Sequence, residues 1–411
     1  MPATAAASDC LAANWLALDV IPAKLQLRQP LHTAAGSFRQ REVLLLKVTV
    51  ISNGQTLCGY GEASALPGWS VDSFADNLVL ARQIQTALDH DPVAVSLQQQ
   101  LPFGAPAWHL AGLDERFPKL QQQPVLRFGL ELALLDALAR YRQLNLAQLL
   151  AQLSALLPGQ LPSQLPGQLP EPPVPSHTPA AVAVQYTLGA DDYASCKARL
   201  QTALQQGFSH AKLKVGVASN SADLQRIEQL LADFPTLTLR LDANAAWDVQ
   251  QTLSMCQALR DTGVELIEQP VADGDFEDLL QQHEHRAPLL AADESSLPTA
   301  RAARWMQSGA LSALVLKPSV HGGLLPALAL LQLAARHDVK VVLSNLLEAA
   351  VARNAIAHLA AACSQHPGPH GLATGDWFAE DVVTASDQIL DGRLLLRCGA
   401  GSGLIPDVFC P

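Results

Sequence analysis

The chain has 411 residues, 49% of them hydrophobic, and a formal net charge of −11. That length and apolar content suit two domains with large cores, and the acidic balance without any Lys/Arg-rich run argues against nucleic acid as a partner. No apolar run approaches the roughly 18 residues of a membrane helix, and the opening MPATAAASDC lacks the basic start of a secretory signal, so no membrane partner and a cytoplasmic location are expected.

In chain order, EVLLLKVTVIS (42–52) is apolar and β-branched and predicts a strand, while GYGEASALPG (59–68) reads as a glycine- and proline-punctuated loop. SVDSFADNLVLARQIQTAL and VLRFGLELALLDALARYRQ carry apolar residues at helical spacing, for instance Phe128, Leu132, Leu135 and Ala139. Strands followed by helices without alternation imply an α+β domain over residues 1–150. Residues 151–179 contain Gln-Leu-Pro three times, and proline at that density predicts a semi-extended linker or insertion.

From residue 180 to 384 the grammar alternates strictly. AVAVQYTL, HAKLKVG, LTLRLDAN, ELIEQP, PLLAADES, ALVLKPS, KVVLSNL and HGLATG are strand-like and are joined by helical stretches. Eight short strands alternating with helices predict a parallel α/β barrel. Seven cysteines (Cys10, Cys58, Cys196, Cys256, Cys363, Cys398, Cys410) are scattered without a Cys-x-x-Cys pair, so buried thiols are expected rather than a zinc site or disulfides.

Lys214, Asp242, Glu268, Asp293 and Lys317 fall at or near predicted strand ends with spacings of 28, 26, 25 and 24 residues. Each step is one βα unit, and the C-terminal strand ends of a barrel converge on one face. Any one of these residues alone would ordinarily be a helix cap or a solvated side chain; five in succession predict a shared cavity. Three carboxylates brought together repel one another, and a hard divalent cation such as magnesium resolves this, with manganese an acceptable substitute. Lys212 and Lys214 share one strand face and so point into the same site. A metal held against a substrate carboxylate would favour loss of the α-proton to an enediolate-like intermediate, with a lysine as base if nearby cations lower its proton affinity. The expected partner is a small-molecule carboxylate.

KLK (212–214), LDAN (241–244), IEQP (267–270), ADES (292–295) and LKP (316–318) resemble, in that order, the muconate-lactonizing subgroup of the enolase superfamily. The resemblance implies a (β/α)7β modified TIM barrel under an α+β capping domain, with residues 385–411 returning to the cap. PLHTAAGSFRQREVLLLKV, GYGEASALPGWSVDSF and SNLLEAAVARNAIAHLAA are similar to segments of the o-succinylbenzoate synthases. By that likeness Asp242, Glu268 and Asp293 bind magnesium. Lys214 takes the proton and returns it to the departing hydroxide, and Lys317 supports the intermediate through a cation–π contact. The substrate would be 2-succinyl-6-hydroxy-2,4-cyclohexadiene-1-carboxylate, and the product o-succinylbenzoate would serve menaquinone or phylloquinone synthesis.

Lys212, Arg240 and Asn244 would be close partners of the site, although Arg240 could instead pair with an acid on a neighbouring strand. Ser344 would face the succinyl tail, where Ser344-Asn345, Glu348-Ala349 and Ala352 depart from the family pattern. An N-succinylamino acid racemase, dipeptide epimerase or muconate cycloisomerase could use the same two lysines. An epimerase would want paired carboxylates near the last strands, where Asp376 stands alone with Glu380 and Asp381 further on.

Overall fold

The computed structural model describes residues 12–33, 36–100, 107–155, 180–283, 288–385 and 387–410. Strands β1 (Ala12–Thr33), β2 (Gly36–Ser52) and β3 (Gln55–Ala63), helix α1 (Phe74–His90), and strands β4 (Val93–Gln100) and β5 (Ala107–Ala111) open the chain. The five strands form one antiparallel sheet in the order β3-β2-β1-β4-β5. Helices α2 (Leu113–Arg116), α3 (Pro124–Tyr141) and α4 (Leu146–Ala155) follow.

Helix α3 is buried from Val125 to Ala139 except at Arg127, which its apolar residues on every side require. It lies directly on β3 because Gly59 and Gly61 carry no side chain: a Cβ on either would fall 2.0 Å from the carbonyl oxygen of Ala133 or Gly129. GYGEA, expected as loop, is therefore the second half of a strand, and its glycines admit a helix instead of turning the chain. The strand runs on to Ala63, and the turn begins only at Pro67.

The second part comprises β6 (Ala181–Ala183), β7 (Tyr186–Leu188), α5 (Tyr193–Gln205), β8 (His210–Lys214), α6 (Asn220–Asp233), β9 (Thr238–Asp242), α7 (Val249–Ala258), β10 (Val264–Glu268) and α8 (Phe276–Gln282). It continues through β11 (Leu289–Ala292), α9 (Thr299–Gln307), β12 (Ala313–Leu316), α10 (Leu324–Arg336), β13 (Lys340–Leu343) and α11 (Ala350–Ala362). Strands β7 to β13 form one parallel sheet in sequence order. Parallel bridges from Ser344 to Gly371 and from His370 to Val184 carry the curl round to its start. Leu266, Ala291, Ala313, Val315 and Val342 form an apolar cluster of their own within it. The whole is an enolase-like α/β fold, a (β/α)7β barrel beneath an α+β cap. Two short strands, β14 (Ile389–Leu390) and β15 (Arg393–Leu395), extend β6 as a small antiparallel sheet. The tail beyond them meets α3 through Arg140 and Asp136, which bond Leu404 and Ser402.

Buried carboxylates join the two parts. Glu62 at the end of β3 accepts from the backbone N–H groups of Ala349 (2.7 Å) and Ala352 (3.0 Å) at the start of α11. Glu131 of α3 accepts from Leu325 N (2.9 Å) at the start of α10. Both satisfy otherwise orphaned donors at the positive end of a helix dipole. Those helix starts lie at the C-terminal strand ends, so the cap is held over that face.

The segment expected as linker from residue 151 begins as helix, since α4 continues to Ala155. Residues 156–179, with the Gln-Leu-Pro units, lie outside the described residues, as does Cys10. Cys196, Cys256 and Cys363 are buried as expected, but Cys398 and Cys410 are exposed and Cys58 is half-buried; these six thiols are free. Among the described residues no helix is long and apolar enough to cross a membrane.

Candidate active site

Five parallel strands deliver the charged residues to one place. Cross-strand register puts Lys214 beside Asp242 and Asp242 beside Glu268. Asp293 and Lys317 follow immediately after β11 and β12. Lys212 Nζ bridges Asp242 Oδ2 (2.9 Å) and Glu268 Oε1 (3.0 Å), and Lys317 Nζ pairs with Asp293 Oδ2 (2.5 Å). Asn244 donates to Asp242 and accepts from Lys214 Nζ at 3.4 Å.

The electrostatics follow from burial. Glu268 and Asp293 are 3% and 5% exposed, and loss of water raises their carboxyls to about 8 and about 6. Lys212 opposes this at Glu268, where Asp242 and Asp293 add repulsion; Lys317 opposes it at Asp293. Burial also works against the charged Asp242, but Lys212 outweighs it and holds that carboxyl below its usual range. Burial alone would lower Lys212; Asp242, then Glu268, reverse the sign and hold its ammonium above the ordinary value. Two lysines, Lys212 and Lys317, thus pair with the three carboxylates, while Lys214 meets the Asn244 amide.

A hard divalent cation fits this donor set. Burial raises Glu268 and Asp293, and the Oε2 atom of Glu294, the next residue after Asp293, is buried without a hydrogen-bond partner. Among the described residues no group of three acidic, His or Cys side chains is arranged to hold a metal ion as it stands. Lys212 and Lys317 engage the carboxylates instead, so a cation of higher charge would compete with ammonium groups for oxygens already gathered.

Not every expected residue joins the cluster. Arg240, on the same strand as Asp242, turns to Glu265 Oε2 (2.6 Å), Gln185 Oε1 (2.7 Å) and Pro369 O (2.5 Å). The register of β9 against β10 shifts between Val264 and Leu266, and this bulge presents Glu265 to Arg240 and Lys340. Ser344 stands at the end of β13, bridged to Gly371.

Three residues went unread in the sequence. Glu294 lies inside the quoted ADES, where only the first acid was taken. Gln269 of IEQP accepts from Asp293 N and Ser295 N (3.1 Å each) and donates to Ser295 Oγ (2.7 Å) and Val271 O (2.9 Å), tying the ends of two carboxylate-bearing strands together. Trp69, in the turn after β3, places its ring centroid 3.3 Å from Lys317 Nζ.

Residues 195–408 match the Enolase C-terminal domain-like family. The chain belongs to the enolase superfamily. It resembles the superfamily's muconate-lactonizing subgroup and is 24% identical over 396 residues to an o-succinylbenzoate synthase of Listeria innocua, covering 95% of this chain and 93% of that one. It is 25% identical over 390 residues to a hydrophobic dipeptide epimerase of Enterococcus faecalis, covering 94% and 98%. A crystal structure of the Enterococcus epimerase, complexed with Mg and L-Leu-L-Tyr, superposes with a TM-score of 0.73 at 22% identity over 95% of this superfamily member and 99% of that chain. Muconate lactonizing enzyme from Pseudomonas fluorescens, complexed with muconolactone, gives 0.71 at 21% identity over 96% and 97%.

Proposed function

We propose that this protein dehydrates 2-succinyl-6-hydroxy-2,4-cyclohexadiene-1-carboxylate to o-succinylbenzoate, with magnesium held by Asp242, Glu268 and Asp293. The observation that carries the reading is the gathering at the strand ends: Asp242, Glu268 and Asp293 lie together between Lys214 and Lys317, with Lys212 and Lys317 bonded to the carboxylates. A bound dication together with Lys212 and Lys317 would draw an anionic ligand, and this substrate has two carboxylates. When bound, magnesium would neutralise charge building on the ring carboxylate as the neighbouring proton leaves.

The chain's own residues divide the remaining work. Lys214, the less enclosed of the KLK pair, takes the proton and returns it to the leaving hydroxyl as water departs; Asn244 orients its amine. Lys212 is committed to Asp242 and Glu268 and keeps positive charge beside Lys214. Lys317, on the opposite side, carries the charge that spreads into the ring. Loss of water makes the ring aromatic, so the site has only the first proton loss to assist.

Likeness to the dipeptide epimerase favours one alternative, proton exchange at the α-carbon of a dipeptide. A dipeptide ammonium needs a carboxylate partner near the last strands. Asp381 is occupied by Arg353 Nη2 (2.8 Å) and Ala350 N (2.9 Å), and Asp376 is exposed. Side-by-side kcat/KM for the cyclohexadiene carboxylate, N-succinylamino acids and hydrophobic dipeptides tests the choice. The synthase reading expects the first to exceed the others by at least about 100-fold, a difference of two or three well-made polar contacts; a dipeptide or N-succinyl preference would overturn it.

A further inference from the structure

Among the described residues, the ammonium of Lys317 is a cation of the site that meets the capping domain. Trp69 lies 3.3 Å from it, whereas other cation–ring pairs among the described residues, such as Arg140 over Tyr60 and Lys47 over Phe409, are separated by 5.2 and 5.9 Å. The turn that carries the indole is anchored. Trp69 N and Ser70 N both bond Leu66 O at 3.0 Å, Ser70 Oγ bonds Asp72 O, and Asp72 holds Val125 N and Leu126 N at the start of α3. With Asp293 Oδ2 on one side and the indole face on another, Lys317 is left 6% exposed.

We propose that Trp69 is a specificity-determining gate: its indole occupies the face of Lys317 that the substrate needs, and is displaced only by a substrate that offers the ammonium a π face or negative charge in return. A planar unsaturated ring carboxylate makes that exchange nearly even. An aliphatic N-acyl amino acid or dipeptide has no π face to exchange for the indole, and with its carboxylate held at the metal it leaves the ammonium facing amide and alkyl groups, so it is disfavoured. The inference rests on the reading above only for the identity of the ring.

Two measurements test it. The chain has six tryptophans, so subtracting the emission spectrum of Trp69→Phe from that of the parent isolates Trp69. The same subtraction in a Lys317→Ala background, without ligand, should give a clearly different spectrum, and an identical one would overturn the contact. In the magnesium-loaded protein, calorimetry should find o-succinylbenzoate bound about tenfold more tightly by Trp69→Leu, which lacks the competing face. Trp69→Phe, which keeps a π face, should stay near the parent value. Equal or weaker binding by Trp69→Leu would make the indole a wall of the pocket and end the gate proposal. If the ring compound binds none of the three proteins, the synthase reading fails instead, and the emission spectra alone decide whether Trp69 covers Lys317.

Discussion

Lys214 is separated from its neighbour Lys212 by what each amine touches. Lys212 lies between two carboxylates, while Lys214 meets only the amide oxygen of Asn244 at 3.4 Å in the cluster, which leaves it available to a substrate proton. Lys214→Ala should therefore lower kcat by about 1,000-fold, within the usual worth of a positioned base. Magnesium should still raise the melting temperature of the variant by the same amount expected for the parent. Appreciable residual turnover would assign the base elsewhere. Lys317→Ala separates mechanisms at the same scale: dehydration should fall severely for lack of charge stabilisation, whereas a racemase would lose proton exchange from one enantiomer only. Rates with each enantiomer, measured by deuterium uptake, distinguish the two.

At the scale of elements, cap and barrel are joined by carboxylates set at helix starts. Burial raises Glu62 from 4.5 to about 7 against the hydrogen bonds from Ser64 and Ala352. A carboxyl whose folded pKa lies above its unfolded one stabilises fully below about pH 4.5, and that contribution is lost as pH rises through 7. Comparing thermal melts across this window, the parent should lose about 3 kcal/mol more than Glu62→Gln between pH 4.5 and 7. Parallel profiles would show that the clamp does not titrate. The packing of α3 on β3 makes a second demand. Gly61→Ala would drive a methyl onto the Gly129 carbonyl, and should destabilise by about 3 kcal/mol in denaturant melts. A loss under about 1 kcal/mol would mean the helix can lift away at little cost.

Across the whole molecule, the barrel was legible because alternation of strand and helix is a local signal repeated eight times, and the acids and lysines were legible because one βα unit separates each from the next. Features made by contacts between distant segments were not. Glycine at 59 and 61 gives the same sequence signal whether it turns a chain or admits a helix, so GYGEA read as loop. The bulge that turns Glu265 toward Arg240 has no signature in ELIEQP. Trp69 meets Lys317 only once the cap is seated on the barrel by Glu62 and Glu131, and a sequence read locally cannot pair a residue of one with a residue of the other. The central claim is that the gathered carboxylates and lysines dehydrate a ring dicarboxylate with magnesium. The most direct measurement is o-succinylbenzoate formation from the succinyl-hydroxycyclohexadiene carboxylate by the purified chain, with magnesium and after EDTA. The account predicts rapid conversion that stops with EDTA and returns with added magnesium; no conversion by a folded chain that binds magnesium would contradict it.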